Sequence, residues 1–334
     1  MFSLPTPDDF HVHVRQGETV QNVLPFTSRT FARALIMPNT APPVVCAADV
    51  VQYREEIQSL AGSDFTPLMT IYLTLASTPQ MVRDAHAVGT VAAKFYPRGA
   101  TTASKHGIAI RELPGLTQVF REMETLGMVL CIHAEDPDAT SLAREAAFLP
   151  IVQLLASEFP RLKIVVEHVS TAEAVGAVLA LPKTVAATVT VHHLACTIDD
   201  LMGGLLNPHL HCKPCLKPPE HREALWLAIA RNSRKFFLGT DSAPHDVSHK
   251  ECAAGCAGVF SAPVALPLLV QLFDERGLLD ILPDFTSCFG ADFYGLPRNH
   301  GWVELEPQPW FVPERFGGIV PLWAGRELAW RIAT

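Results

Sequence analysis

The chain has 334 residues, and 49% of them are apolar, which suits a large buried core and one α/β barrel with insertions. Its formal net charge is −8 and it carries no basic block, so a nucleic-acid surface is not expected. No apolar run reaches the length of a membrane span, and the ten residues before His11 include Pro5, Pro7, Asp8 and Asp9, so no cleaved leader is expected upstream. The eight cysteines read as free thiols in a reducing cytoplasm.

The alternation over Asp8–Arg15 predicts a first strand. Side chains two apart on a strand share a face, so His11 and His13 should aim together, with Arg15 one step further along. Two imidazoles converging at a strand end can hold a metal ion. An isolated His-x-His reads equally well as a pair of exposed strand histidines.

Further short apolar strands are predicted at 31–39, 68–73, 90–96, 128–132, 163–166, 185–191 and 235–238. Helical spacing is expected at 47–60, 79–88, 114–126, 139–158, 171–181 and 218–230, with Gly89 and Gly127 as stops and Thr171 as a cap. A loop with Gly99, Thr101, Thr102, Ser104 and Gly107 follows the fourth strand. From about Ser261 two or three more helices and a Pro- and Trp-rich tail are expected. Eight buried strands, mostly alternating with helices, argue for a parallel sheet closed into a (β/α)₈ TIM-type barrel. A single domain over 1–334 includes the helical extension and tail. An open doubly wound sheet is the alternative, but no Gly-x-Gly-x-x-Gly follows the first strand.

At or near the C-terminal strand ends lie His11, His13, Asn39, Lys94, His133, His168 and Asp241. A barrel gathers these ends at one mouth. Four imidazoles and a carboxylate match zinc's preferences, and five ligands exceed what one tetrahedral ion uses. Two ions need a bridge. An ammonium at Lys94 would repel them, whereas a carbamate made from the neutral amine and carbon dioxide offers two anionic oxygens. The alternative for Lys94 is a pairing with a barrel carboxylate. Glu135 and Glu167 flank ligands and could orient them, but the alternation leaves their direction open. Cys212-Lys213-Pro214-Cys215 has zinc-knuckle spacing, with Cys252 and Cys256 as a second pair, although the two separations differ. His192 and His193 are left without a role: one could line the mouth, but packed or solvated histidines are the expected reading.

Taken together, the pieces resemble the amidohydrolase superfamily and, within it, the short bacterial-type dihydroorotases. They are Asp9-Phe10-His11-Val12-His13-Val14-Arg15, Met37-Pro38-Asn39-Thr40-Ala41-Pro42-Pro43, Ala93-Lys94-Phe95-Tyr96-Pro97, His133-Ala134-Glu135, Glu167-His168 and Leu238-Gly239-Thr240-Asp241-Ser242-Ala243-Pro244-His245. The resemblance runs on through Cys256-Ala257-Gly258 to Phe293-Tyr294-Gly295-Leu296-Pro297.

That resemblance implies reversible cyclisation of N-carbamoyl-L-aspartate to (S)-dihydroorotate, in de novo pyrimidine synthesis, by a homodimer. It places one zinc on His11, His13 and Asp241, and a second on His133 and His168. Carboxylated Lys94 and a hydroxide bridge the two. Arg15, Asn39 and His245 would bind the substrate carboxylate, and main-chain groups of Lys213 and Ala257 the ring amide edge. The family has an apolar residue where Lys213 stands. Thr101 and Thr102 fall on its mobile loop. Asp241 would carry the proton between the hydroxide and the leaving nitrogen.

Three rivals are weighed. Hydantoinases and allantoinases resemble this site but usually carry a β-sandwich segment before the His-x-His, and the ten residues before His11 argue against them. A zinc deaminase would use one metal and no lysine. A non-catalytic barrel would show a lost ligand, and none is lost.

Overall fold

The computed structural model describes residues 1–333. Strand β1 (Phe2–Pro5) stands outside the barrel. The barrel strands follow as β2 (Asp8–Val12), β3 (Arg33–Ile36), β4 (Thr66–Tyr72) and β5 (Ala92–Phe95). Next come β6 (Val129–Ile132), β7 (Lys163–Val166), β8 (Val185–Val189) and β9 (Phe236–Leu238). All eight lie side by side in sequence order and are parallel.

Closure comes just past the end of β9. The Asp241 amide donates to the His11 carbonyl at 2.8 Å, and the His13 amide to the Ser242 carbonyl at 3.0 Å. Buried Asp9 reinforces the seam by accepting from the Thr240 amide at 2.8 Å and from Thr240 Oγ1 at 2.6 Å. The result is the TIM-type barrel that the eight alternating strands predict.

Strand alternation decides what faces the lumen. On β6, Val129 and Cys131 join the inner cluster while Leu130 and Ile132 pack outward under the helices. The inner cluster also holds Phe10, Leu35, Leu68, Ala92, Val165, Ala186 and Phe237. Its floor is closed by the C-terminal helix Phe289–Tyr294, whose Tyr294 ring stacks on Phe10 at 4.8 Å between centroids. Continuing the same alternation sets Lys94, His133 and Glu167 toward the lumen, above Ala92, Cys131 and Val165.

Several elements differ from expectation for local reasons. The first strand stops at Val12, with a register shift between Asp9 and Val12. The strand expected over 185–191 stops at Val189, because Thr190 caps a short helix, Val191–Ala195, by accepting from the His193 amide. His192 and His193 are therefore helical. The helix expected from 139 begins at Arg144. Helix Glu18–Ser28 was not anticipated, and Pro25 inside it hides its signal.

The tail adds β10 (Trp302–Glu306), β11 (Trp310–Phe311), β12 (Glu327–Leu328) and β13 (Arg331–Ile332). β10 pairs antiparallel with β1 and β13, so the tail is tied to the N-terminal strand. No helix among the described residues is long and apolar enough to cross a membrane.

Candidate metal centre and active site

Two groups of ligand atoms meet at the barrel mouth. His11 Nε2 lies 3.3 Å and His13 Nε2 3.0 Å from Asp241 Oδ1, and these three residues form one cluster of potential metal ligands. In the second group, His133 Nδ1 faces His168 Nε2 at 3.1 Å. Burial holds both of these imidazoles below their ordinary pKa, far below for His168. Neutral rings keep a lone pair for a cation.

Lys94 rises from β5 in the lumen, fully buried, and its Nζ has no hydrogen-bond partner. Burial pushes its pKa down, against the charges of Glu167, Cys131 and Asp241. An isolated buried ammonium is costly. A neutral amine is the form that reacts with carbon dioxide, and a carbamate would remove the orphan by placing its oxygens on two cations. Four imidazoles, one carboxylate and this unpartnered amine therefore fit a two-metal centre.

Carboxylates behind the histidines fix which ring nitrogen faces inward. Glu167 Oε2 lies 2.7 Å from His11 Nδ1, leaving Nε2 toward Asp241. Thr188 Oγ1 donates to the same Glu167 oxygen at 2.6 Å and accepts from the His168 amide at 2.6 Å. Glu135 Oε2 lies 2.9 Å from His133 Nε2, leaving Nδ1 toward His168. The two glutamates whose direction alternation left open thus both back the site. For Asp241, burial favours the neutral acid, but His11 and His13 outweigh it and hold the carboxyl well below the usual carboxylate range.

Three of these residues depart from the strand backbone. Arg15, His168 and Asp241 have φ of 62°, 44° and 45°, a left-handed region uncommon for side chains other than glycine's. Arg15 therefore does not continue the His-x-His face. A turn re-aims it toward Pro244 and His245. Its Nε donates to the Pro244 carbonyl at 3.1 Å, and its Nη2 lies 3.0 Å from His245 Nε2. His245 Nε2 is also 3.1 Å from the Ala257 carbonyl. Burial first and Arg15 second lower the His245 pKa to about 3, so the ring is neutral and its Nε2 can satisfy only one of these neighbours at a time.

One cleft, with about 370 Å³ of empty space, is lined by His11, His13, His133, His168 and Asp241 at the metal end. Arg15, Asn39, Lys213 and Ala257 line the same cleft, as do Thr101 and Thr102. Lys94 lies too deep to line it, and His245 lines the adjoining cavity together with Arg15 and Asn39. Thr102 Oγ1 donates to the Ala257 carbonyl at 3.4 Å, so the loop reaches across the cleft. Tyr96, Ala243 and Gly258 also line it and were not anticipated. Tyr96 follows Lys94 by two positions, so strand parity was a usable signal. Its buried hydroxyl has no partner.

All eight cysteines are free thiols. Cys215 Sγ turns toward the Ser141 carbonyl at 3.6 Å and Cys252 is exposed, so the spacing of Cys212 and Cys215 does not make a knuckle.

A closed barrel with this donor set at its mouth defines a class. The chain matches the amidohydrolase family over residues 4–313 and belongs to it. It is 46% identical to a dihydroorotase of Shewanella sediminis over 342 residues, covering 99% of both chains. The solved dihydroorotase of Saccharomyces cerevisiae in complex with 5-fluoroorotic acid superposes with a TM-score of 0.94 at 34% identity, covering 99% of this chain and 98% of that one. That of Campylobacter jejuni gives 0.92 at 35%, covering 99% and 97%. Within the amidohydrolases the chain falls among the dihydroorotases, hydrolases that act on a cyclic amide.

Proposed function

We propose that this chain, working as a single domain, interconverts N-carbamoyl-L-aspartate and (S)-dihydroorotate in pyrimidine synthesis, with two zinc ions per chain. The observation that carries the reading is the unpartnered Lys94 amine buried at one mouth with the His11–His13–Asp241 and His133–His168 groups. In this reading His11, His13 and Asp241 hold one zinc, and His133 and His168 the other. N6-carboxylated Lys94, with a hydroxide, would supply the anionic oxygens between them. The bound pair would lower the pKa of water and polarise the substrate carbonyl.

The side chains do the rest. Asp241, kept ionised by its histidines, accepts the proton at its carboxylate and delivers it to the leaving nitrogen during ring opening. Arg15 is anchored through Nε to Pro244 and faces His245 through Nη2, which leaves Nη1 and the second Nη2 hydrogen for the substrate carboxylate. Asn39 and His245 complete that end. Main-chain groups of Lys213 and Ala257 bind the ring amide edge, so a lysine side chain at 213 is tolerated. Thr101 and Thr102 close over the substrate. The enzyme works as a cytoplasmic homodimer. Support for that part is the resemblance to the short bacterial-type class.

The test is an assay of purified protein on dihydroorotate beside metal analysis. Ring closure turns a dianion into a monoanion and consumes a proton. The equilibrium ratio of open to closed form should therefore rise about tenfold per pH unit between roughly pH 6 and 8. A ratio that does not move, or no turnover at about two zinc per chain, overturns the proposal.

A further inference from the structure

Two features singled out in the sequence are not used by this reaction: His192-His193 and Cys212. The fold brings them together. His192, His193 and Cys212 are all buried, and one potential ligand atom from each lies within 4.8 Å of the others. The histidines come from the short helix capped by Thr190, and Cys212 from the segment that precedes Pro214.

The hydrogen bonds around the cluster are incomplete. His192 is fully buried, and neither of its ring nitrogens has a partner. A buried polar atom left unpaired costs about 1–3 kcal/mol, and buried rings with both nitrogens orphaned are rare. His193 Nε2 and Cys212 Sγ both lie near one acceptor, the Pro214 carbonyl, at 3.2 and 3.1 Å. Thr190 Oγ1 sits 2.8 Å from His193 Nδ1. If His193 binds a cation through Nε2, its proton moves to Nδ1, where Thr190 accepts it.

We infer that His192, His193 and Cys212 form a third metal site, separate from the pair at the barrel mouth, for a borderline-soft divalent cation of the zinc class. Two imidazole nitrogens and a thiolate are that ion's preferred donors, and the Pro214 carbonyl stands ready as a fourth. Tetrahedral zinc would draw the donors to about 3.4–3.7 Å apart, a contraction that side-chain rotation supplies. On binding, the Cys212 thiol loses its proton to solvent and the sulfur bonds the ion. One nitrogen of His192 gains the partner it lacks.

Cobalt distinguishes this site from the pair, because none of the residues at the mouth is a cysteine. The full chain is produced in cobalt-supplemented medium, so the ion is present as the protein folds. We expect about three cobalt ions per chain and a thiolate-to-cobalt charge-transfer band. Cys212→Ser and His192→Gln should each remove one ion and the band, while Cys215→Ser and the Cys252→Ser/Cys256→Ser variant keep both. His192→Gln decides the matter if Cys212→Ser does not fold. Two ions and no band in the unaltered chain would overturn the inference. So would a band that survives Cys212→Ser, or one lost only with Cys252 and Cys256.

Discussion

Glu167→Gln separates a ligand-orienting carboxylate from a merely buried one. Glu167 is fully buried, and its Oε2 receives His11 Nδ1 at 2.7 Å and Thr188 Oγ1 at 2.6 Å. Glutamine has nearly the same shape, and its amide oxygen can accept from both. What it removes is the negative charge. A hydrogen bond to a charged group contributes about 1.5–3 kcal/mol, against about 1 for a neutral one. The change should therefore weaken the hold on His11 by about 0.5–2 kcal/mol. If His11 is a ligand, that loss appears as roughly 2- to 30-fold weaker metal binding. Competition with a chelator at fixed pH measures it. Activity should return when zinc is supplied in excess. Tm with metal removed should move little, since shape and both hydrogen bonds persist. An unchanged metal affinity in a folded variant would refute the reasoning, because His11 would then be held for packing alone.

Three further outcomes follow from the same geometry. Arg15→Ala removes a charge-assisted contact worth about 1.5–3 kcal/mol, so kcat/KM should fall about 10- to 150-fold, with metal content at the wild-type level. Metal loss in this variant would make Arg15 structural. Replacing Thr101 and Thr102 together with alanine should lower kcat while metal content and Tm stay nearly constant, and proteolysis of the 98–107 loop should slow when dihydroorotate is present. A wild-type rate in the double variant would reduce the loop to a connector. Burial pushes the Glu145 carboxyl up to about 7 from 4.5, against Lys217 and the hydrogen bonds from Thr171 and Ser170. The folded state then binds this proton more tightly than the unfolded one. Its stabilising contribution is complete below about pH 4.5 and is lost as pH rises through about 7, up to about 3 kcal/mol in total. Glu145→Gln should flatten that slope in urea titrations, and an unaltered slope would assign it to other groups.

Most of the scaffold was legible because it obeys period. Eight apolar strands separated by helix-length stretches predicted the barrel, and position at the strand ends brought Lys94 and His133 to its mouth. Legibility failed where the backbone leaves that period. His168 follows inward-facing Glu167 and should point outward by parity. It reaches the second ligand group because its own φ is 44°. Asp241 and Arg15 turn in the same way, and no residue type at those positions announces it. Position near the strand ends made His168 and Asp241 candidates, and motif resemblance, which carries conformation implicitly, supplied their roles and that of Arg15. Geometry alone could not have supplied them from alternation.

The same limit explains the partners that went unread. Glu167 meets His11 across 156 positions of sequence, and Thr240 meets Asp9 across 231. Such pairs are set by the closed ring, which brings the first and last strands of the barrel side by side. A site assembled across that seam depends on the closed ring. The group that spans it, His11 and His13 from the first strand region with Asp241 from the last, is therefore complete only in the closed ring. The His133–His168 group, on adjacent strands β6 and β7, does not need the seam. A metal held only by the second group is consistent with an open barrel, whereas metal held by the first requires closure. A cation bound at the first group would therefore stabilise the closed ring by linkage.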